Sequence, residues 1–221
     1  MATAELKEAR REAHLEATLF VLVACGLLGA LAFVSMAEGW DLVGVPGWVW
    51  LILCAPQLLL VCAFAFTAPR SVDLLILLLV VAANLCGLGL LLAALLTETS
   101  SQLSGGQLLM SGVVVWLTNV IVFGLLYWSL DAGGPMTRAE HGRKAPDFEF
   151  PQDDNPNVMR PGWYPRLGDY TYVALTNGLA FSPTDAMPLS RWAKGLMGLE
   201  AMISVAALLL VAARAVNVLG S

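Results

Sequence analysis

Two ionisable residues interrupt the last apolar stretch of the sequence. Glu200 and Arg214 lie inside or at the edges of a run from about Leu196 to Val216. An ionisable group at membrane depth is costly and commonly marks an ion path, a relay or a gate. Both residues are therefore candidates for pore lining or gating. Glu200 lies only one or two turns after the start of its run, so the alternative is that its side chain extends to the membrane interface.

Other polar side chains suggest two further kinds of site. A cluster of carboxylates in a hydrophilic stretch offers oxygen ligands to a hard cation, but its spacing matches no EF-hand loop. We therefore expect a solvated loop face there. The cluster consists of Asp147, Glu149, Asp153 and Asp154. Two amides, Asn84 and Asn119, lie in the middle of apolar runs, where such side chains more often join helices than contact a substrate.

The remaining residue types give no metal centre and no catalytic constellation. His14 and His141 are the only histidines and lie far apart in sequence. The cysteines all fall in apolar runs without a Cys-x-x-Cys pair, so we predict that they are small buried hydrophobic residues. They are Cys25, Cys54, Cys62 and Cys86. No phosphate-binding loop or nucleophile elbow is present. We expect no enzyme activity, no metal and no cofactor.

The composition indicates an integral membrane protein. The chain has 221 residues, of which 58% are hydrophobic and only 13% are charged, whereas soluble domains carry roughly 25% charged residues. The apolar residues fall in blocks of about twenty, the length that crosses a bilayer as a helix. The net charge of −5 gives no basic footprint for nucleic acid. The predicted partner is therefore the lipid bilayer, and the predicted class is an all-α membrane protein.

The apolar blocks predict about five transmembrane helices and four regions. We predict a polar helical lead-in over 1–16, a four-span bundle over 17–130, a proline-rich hydrophilic loop over 131–167 and a C-terminal module over 168–221. A signal sequence cleaved after Ala37 is the alternative for the first span. The predicted spans are Ala17–Ala37, Trp48–Phe66, Leu74–Leu96, Leu108–Leu130 and Leu196–Val216.

The basic residues predict an orientation. With the N-terminus inside, eleven of the twelve lysines and arginines fall on the cytoplasmic side, and the twelfth is Arg214 in the last span. The positive-inside rule then favours a cytoplasmic N-terminus, a cytoplasmic 131–192 connection and an outer C-terminus.

A short helix is predicted before the last span. Asp169 is suited to cap a helix over Tyr170–Asn177, and Gly178 to end it in a left-handed conformation. Asp185 precedes the last helix, in whose first turn Pro188 is expected. The short helix cannot cross a bilayer.

The order of these elements resembles the pore module of tetrameric potassium channels. The similar features are the short helix ending in Val173-Ala174-Leu175-Thr176, a tight segment, and a final helix containing Leu199-Glu200-Ala201 and Val211-Ala212-Ala213-Arg214. The resemblance implies a pore helix followed by an inner helix, and a homo-oligomer of four copies. It also implies a filter-like segment formed by Thr176, Asn177, Gly178, Leu179, Ala180 and Phe181.

The filter motif itself differs. Where potassium channels have a Thr-Val-Gly-Tyr-Gly run, this chain lacks the second glycine and the tyrosine. Stacked carbonyl rings need residues that tolerate unusual backbone angles, so we predict no potassium selectivity. The leading hypothesis is a degenerate channel-like module with weak or non-selective permeation. The alternatives are a non-conducting scaffold or accessory membrane protein and a small transporter.

A longer part of the chain resembles a group of uncharacterised bacterial multi-pass membrane proteins. The resemblance rests on three segments within about Trp116 to Val218. It implies a location in the bacterial inner membrane. The segments are Tyr127-Trp128-Ser129-Leu130-Asp131-Ala132-Gly133-Gly134-Pro135, Phe150-Pro151-Gln152, and Ala180-Phe181-Ser182-Pro183-Thr184-Asp185 with Met187-Pro188-Leu189.

Overall fold

A computed structural model describes residues 3–41, 45–65, 70–96, 104–155, 163–180 and 186–219. These ranges are mostly helical and contain eight α-helices and a two-stranded antiparallel ladder. The helices are α1 (Thr3–Glu38), α2 (Val49–Ala65), α3 (Arg70–Leu96), α4 (Gly105–Leu130), α5 (Pro135–His141), α6 (Pro151–Asp154), α7 (Leu167–Ala180) and α8 (Arg191–Leu219). The strands are β1 (Phe148–Glu149) and β2 (Met187–Pro188).

Three helical stretches within the described ranges are long and apolar enough to cross a membrane. They are His14–Glu38, Gly105–Gly133 and Arg191–Leu209. Two shorter apolar stretches, Val49–Ala63 and Leu75–Leu90, are helical as well. The prediction of a helical protein with membrane-compatible helices is confirmed in this form, and the count of five spans stays a prediction.

Two predicted features of the C-terminal half are wrong. The connection after α4 is not simply an extended loop, because 131–155 contains α5, β1, α6 and a 3₁₀ turn over Asp131–Gly133. Prolines at the first turns of α5 and α6 start these helices, since a helix start does not need the missing N–H. Pro188 is not in the first turn of α8 but in β2, where it pairs with Phe148. A two-stranded ladder leaves an edge on which proline is tolerated.

The chain divides into two compact units. The first consists of Met1–Ala17 and Phe123–Ile203, and the second of Thr18–Val122 and Ser204–Ser221.

The second unit is a helix assembly with a few polar links. Helix α2 packs against α3, where a Cβ at Gly87 would lie 3.3 Å from Leu53. The amide of Asn84 donates to the side-chain oxygen of Asn119 at 2.9 Å, and both residues are buried. The prediction that these amides join helices is therefore confirmed.

The cysteines of the second unit are all free thiols. Cys54 is buried and Cys25 half-buried, and the Cys25 Sγ donates to Gln57 at 3.0 Å. Cys62 and Cys86 are exposed on the protein surface, so the prediction of buried cysteines is wrong for these two.

The first unit has an aromatic core. The Phe148 ring lies 5.0 Å from Tyr127 of α4, 6.0 Å from Tyr170 of α7 and 6.0 Å from Trp192 of α8. Phe150 adds a T-shaped contact to Tyr170 at 5.3 Å. Edge-to-face pairs of this kind are favourable beyond their buried area. The segment after α4 therefore supplies the rings around which α4, α7 and α8 pack.

One close approach in this unit depends on a glycine. A Cβ at Gly124 of α4 would lie 2.8 Å from the Cα of Thr171 in α7. Backbone cannot yield as a flexible side chain does, so only glycine fits here.

Candidate functional site

A buried polar cluster lies within the first unit, where α4, α7 and α8 each contribute one side chain. The Tyr127 hydroxyl donates to the Glu200 Oε2 at 2.6 Å. The Asn177 Nδ2 donates to the same oxygen at 2.8 Å and also to the Met197 carbonyl at 2.9 Å. Glu200 and Tyr127 are 0% exposed. We call Tyr127, Asn177 and Glu200 the acid cluster.

The acid cluster brings together two residues that the sequence singled out for different reasons. Asn177 was a candidate as part of the filter-like segment, and Glu200 as an ionisable residue in a span. Their 23-residue separation gives no direct sign of contact. Tyr127 was not a candidate, although it lies at the end of an apolar run, where tyrosine often serves as an interfacial anchor.

One oxygen of the cluster has no partner. Among the described residues, the Glu200 Oε1 is buried without a hydrogen bond, and no basic side chain forms an ion pair with Glu200. A buried carboxylate without a compensating charge is strongly unfavourable. A protonated Glu200 buries no charge, while its Oε2 still accepts from Tyr127 and Asn177.

The filter-like segment is helical over its described part. Thr176 to Ala180 belong to α7, and the Thr176 hydroxyl donates to the Tyr172 carbonyl at 2.9 Å. The prediction that Gly178 ends the helix is wrong, because α7 continues to Ala180. The Thr176 carbonyl lies four residues before the Ala180 N–H and can accept from it, whereas the carbonyls of Asn177 to Ala180 are the last four of the helix and have no intrahelical donor.

The other predicted residues of the C-terminal module differ in burial, and some lie outside the described residues. Asn177 and Gly178 are buried and Leu179 is exposed. Phe181 and Asp185 lie outside the described residues, as do the side chains of Ala180 and Arg214.

The start of α7 lies three residues earlier than predicted. The helix begins at Leu167, and Asp169 is in its first turn. The Asp169 carboxylate accepts from the backbone N–H of Arg166 at 2.7 Å, and that of Glu16 accepts from Gly168 at 3.1 Å. Two acidic groups therefore lie at the positive end of the helix dipole. Asp169 does stabilise the helix start, although from inside the helix and not as its cap.

The start of α8 is capped by a residue that was not predicted. The Ser190 hydroxyl accepts from the backbone N–H of Ala193 at 3.2 Å, which is the usual geometry of a serine cap. The neighbouring Leu189 N–H donates to the Asp147 carbonyl at 2.8 Å and extends the β1–β2 pairing.

A second buried acid, Asp131, organises the segment after α4. Its Oδ1 accepts from the backbone N–H groups of Asp147 and Phe148 at 2.7 and 3.2 Å. Its Oδ2 accepts from the Arg143 Nε at 3.0 Å and the Tyr170 hydroxyl at 2.5 Å. Asp131 is 0% exposed, yet both oxygens are fully bonded and one partner is a cation. This arrangement is a structural junction, which we call the Asp131 junction.

Two arginines complete the Asp131 junction. Arg143 also donates to Asp153 and to the Phe148 carbonyl. Burial on its own lowers the pKa of Arg143, but the hydrogen bond to Asp153 and the charge of Asp131 outweigh it and raise the pKa. Arg138 donates to the carbonyls of Trp128 and Asp131 at 2.9 and 2.6 Å, where a positive charge suits the negative end of α4.

The tyrosine of the Asp131 junction is held neutral. Burial raises the pKa of the Tyr170 hydroxyl, the charge of Arg138 opposes this rise, and the charge of Asp131 adds to it. Tyr170 therefore acts as a hydrogen-bond donor across the ordinary pH range.

Two of the four carboxylates suggested for a hard cation are used in other ways. Asp153 pairs with Arg143, and the Asp147 Oδ2 accepts from the Ala132 N–H at 3.2 Å. No group of three His, Cys, Asp or Glu side chains that could hold a metal ion occurs in the described ranges.

Comparison with known proteins gives no match to a protein-family model, a curated protein or a solved structure.

Proposed function

We propose that the protein is a non-conducting accessory or scaffold protein of the bacterial inner membrane, built on a channel-like order of helices. The observation that carries this proposal is the bonding of Asn177. Both of the described Asn177 hydrogen bonds go to α8, to the Met197 carbonyl and the Glu200 carboxyl. A side chain held in this way joins two helices and does not face a water-filled axis.

The helical conformation of the filter-like segment supports the same proposal. Ion conduction through carbonyls needs oxygens that replace a hydration shell. The described part of the filter-like segment, Thr176 to Ala180, is a helix end and not a ladder of stacked carbonyls, and the exposed side chain of Leu179 offers no polar group. The short helix α7 thus has the sequence position of a pore helix, but its Asn177 side chain bonds to α8 as in a helix–helix contact.

Glu200 favours a second candidate, an ion-coupled or proton-permeable membrane protein. Its unpartnered Oε1 is the feature that the scaffold proposal does not need. Intramembrane acids that exchange a proton commonly serve relays in transporters and pumps. In a channel-like form of this candidate, four copies would surround one axis, because a single copy supplies one pore-helix-like element.

Ion flux separates the two candidates. The purified full chain is reconstituted into liposomes, and potassium, sodium and proton fluxes are measured side by side for the wild type, Asn177→Ala and Glu200→Gln. We expect all fluxes to equal those of empty liposomes in every case. Proton or cation flux that is lost in Glu200→Gln would favour the second candidate. Potassium flux many-fold above sodium flux, lost in Asn177→Ala, would overturn both the proposal and the prediction of no potassium selectivity.

The proposal includes five spans with a cytoplasmic N-terminus. It is supported by the asymmetry of lysine and arginine between the two sides. Cysteine labelling tests it in a background in which the four native cysteines are replaced. Asn155→Cys should be protected from a membrane-impermeant reagent in intact cells, and Ser221→Cys should react. Labelling of Asn155→Cys from outside would reverse the orientation.

A further inference from the structure

An apolar groove lies within the first unit, where the end of α4 meets the start of α8. Its volume is about 470 Å³, and it is lined by Leu130, Trp192, Gly195 and Leu196. Pockets for small ligands commonly have volumes of about 300–1,000 Å³. Leu130 is the last residue of α4, and the other three residues lie in the first two turns of α8. Both helices contain stretches long and apolar enough to cross a membrane, and in the five-span arrangement proposed above these helix ends lie at a membrane–water boundary.

One wall of the groove is fixed by packing. The Trp192 ring makes a T-shaped contact with Phe148, with ring centroids 6.0 Å apart. Phe148 is fully buried and is held through its backbone N–H by Asp131. Tryptophan is enriched at the headgroup layer, where its ring can contact both lipid chains and polar groups. The groove is therefore a formed feature with an amphipathic wall.

Two exposed cations are next to the groove residues in the sequence of α8. Arg191 and Lys194 are exposed, and neither forms an ion pair with a described residue. Arg191 lies four residues before Gly195, so the two share one face of α8. In a chain with net charge −5, two exposed cations without acidic partners among the described residues, next to an apolar groove, are complementary to an anionic, partly apolar ligand.

We propose that this groove binds one anionic phospholipid. An acyl chain lies against Leu130, Trp192 and Leu196, and the headgroup phosphate contacts Arg191 and Lys194. Basic residues at a membrane surface favour anionic lipids, and the bilayer supplies the ligand at high local concentration. This proposal does not depend on whether the protein conducts ions.

Glycines in α8 provide a matched pair of variants for a test. A Cβ at Gly195 or at Gly198 would meet no atom within 4 Å, so the first atom of a side chain fits at either position without a clash. Gly195 lines the groove, whereas Gly198 is not among the lining residues described. Gly195→Leu therefore fills the groove, and Gly198→Leu is a control for added bulk on the same helix.

Native mass spectrometry of the full chain in detergent, titrated with phosphatidylglycerol or phosphatidylcholine, measures the bound lipid directly. We expect one retained phosphatidylglycerol per chain, at least tenfold weaker retention in Gly195→Leu, and wild-type retention in Gly198→Leu. Arg191→Gln and Lys194→Gln should each reduce the preference for phosphatidylglycerol about fivefold, the size expected for one cation near an anionic headgroup. Lys144→Gln, which removes an exposed charge elsewhere, should change nothing.

Three results would overturn the proposal. They are wild-type phosphatidylglycerol retention in Gly195→Leu, equal retention of the two lipids by the wild type, and a mass showing that a second copy of the chain displaces the lipid in a Gly195-dependent manner. Circular dichroism and elution volume show whether each variant folds. If Gly195→Leu does not fold, the two charge variants decide the matter, because unchanged lipid preference in both would refute headgroup recognition.

Discussion

Replacement of Glu200 by alanine and by glutamine tests whether its carboxyl serves as a hydrogen-bond acceptor or as an ionisable group. Glu200→Ala leaves two buried donors without a partner, the Tyr127 hydroxyl and one N–H of Asn177. Glu200→Gln keeps an acceptor oxygen for both donors. Its amide nitrogen takes the place of Oε1, which has no hydrogen-bond partner among the described residues. The structure therefore predicts a large difference between two variants that both remove the charge.

The size of the effect follows from the two lost hydrogen bonds. An unsatisfied buried polar group costs about 1–3 kcal/mol in general, whereas side-chain hydrogen bonds within membranes average about 0.6 kcal/mol and reach about 1.7 kcal/mol. Taking about 1 kcal/mol for each donor, Glu200→Ala should lower the free energy of unfolding by about 2 kcal/mol. For a chain of this size that corresponds to a fall in Tm of about 4–8 °C. Glu200→Gln should change the free energy by less than about 1 kcal/mol.

Thermal unfolding in one detergent, followed by tryptophan fluorescence, measures the difference. Glu140→Ala removes an acidic side chain that is 47% exposed and lies 3.9 Å from His141, and it should have little effect because exposed pairs contribute little. If Glu200→Gln destabilises the protein as much as Glu200→Ala, the carboxyl is needed for its proton or charge. The acceptor explanation would then be refuted, and the ion-coupled candidate would gain support.

Four further outcomes are expected. Asp131→Asn should cost about 3 kcal/mol, because it leaves a buried guanidinium short of one charge, and faster tryptic cleavage within 131–155 would report it; unchanged cleavage would contradict the Asp131 junction. Gly124→Ala should lower Tm, since its Cβ would meet backbone at 2.8 Å, whereas Gly89→Ala, with nothing within 4 Å, should not. Asn119→Ala should cost about 0.6–1.7 kcal/mol in a chemical-denaturation series. Because burial raises the pKa of Tyr170 above its usual value near 10, its stabilising effect is full below about pH 10 and is lost above it, so Tyr170→Phe should flatten the decline in stability between about pH 10 and 12.

The long apolar helices could be predicted from hydropathy, because a helix that crosses lipid must be apolar over most of its length. Because these helices are apolar on all sides, their sequences do not show which face packs against other helices. Asn84 and Asn119 are exceptions. An amide within an apolar run has few hydrogen-bond partners other than a polar side chain on a neighbouring helix. Their partnership was therefore predictable as a class of contact, while the pairing itself required the structure.

The segment after α4 was harder to predict because its order comes from contacts distant in sequence. Prolines and glycines in 131–155 suggest an irregular loop, and all three of those glycines, Gly133, Gly134 and Gly142, do have positive φ. What organises the segment is one buried carboxylate, Asp131, bonded to groups 12 to 39 residues away. Local propensity carries no signal of such a junction. A single aspartate directly after an apolar run was the only available sign.

The C-terminal module shows why an order of elements does not determine function. A short helix before a spanning helix suits a pore, but the same order also suits two helices locked by a polar pair. The sequence could not distinguish these cases, because Asn177 is equally suitable as a filter amide and as a helix-joining amide. The difference lies in the rotamer and register that place its Nδ2 2.8 Å from Glu200.

The two candidate functions differ in whether the Asn177 bonds ever break. Releasing Asn177 from Met197 and Glu200 removes two hydrogen bonds, which costs about 1–3 kcal/mol in a membrane interior. A cost of about 2 kcal/mol would leave a released form populated at about 3%, a level at which a channel would still leak measurably. A Glu200→Ala variant removes one of the two bonds and should raise that population severalfold. If this variant also gives no flux, release of Asn177 opens no path, and the scaffold proposal accounts for the acid cluster without any conducting state.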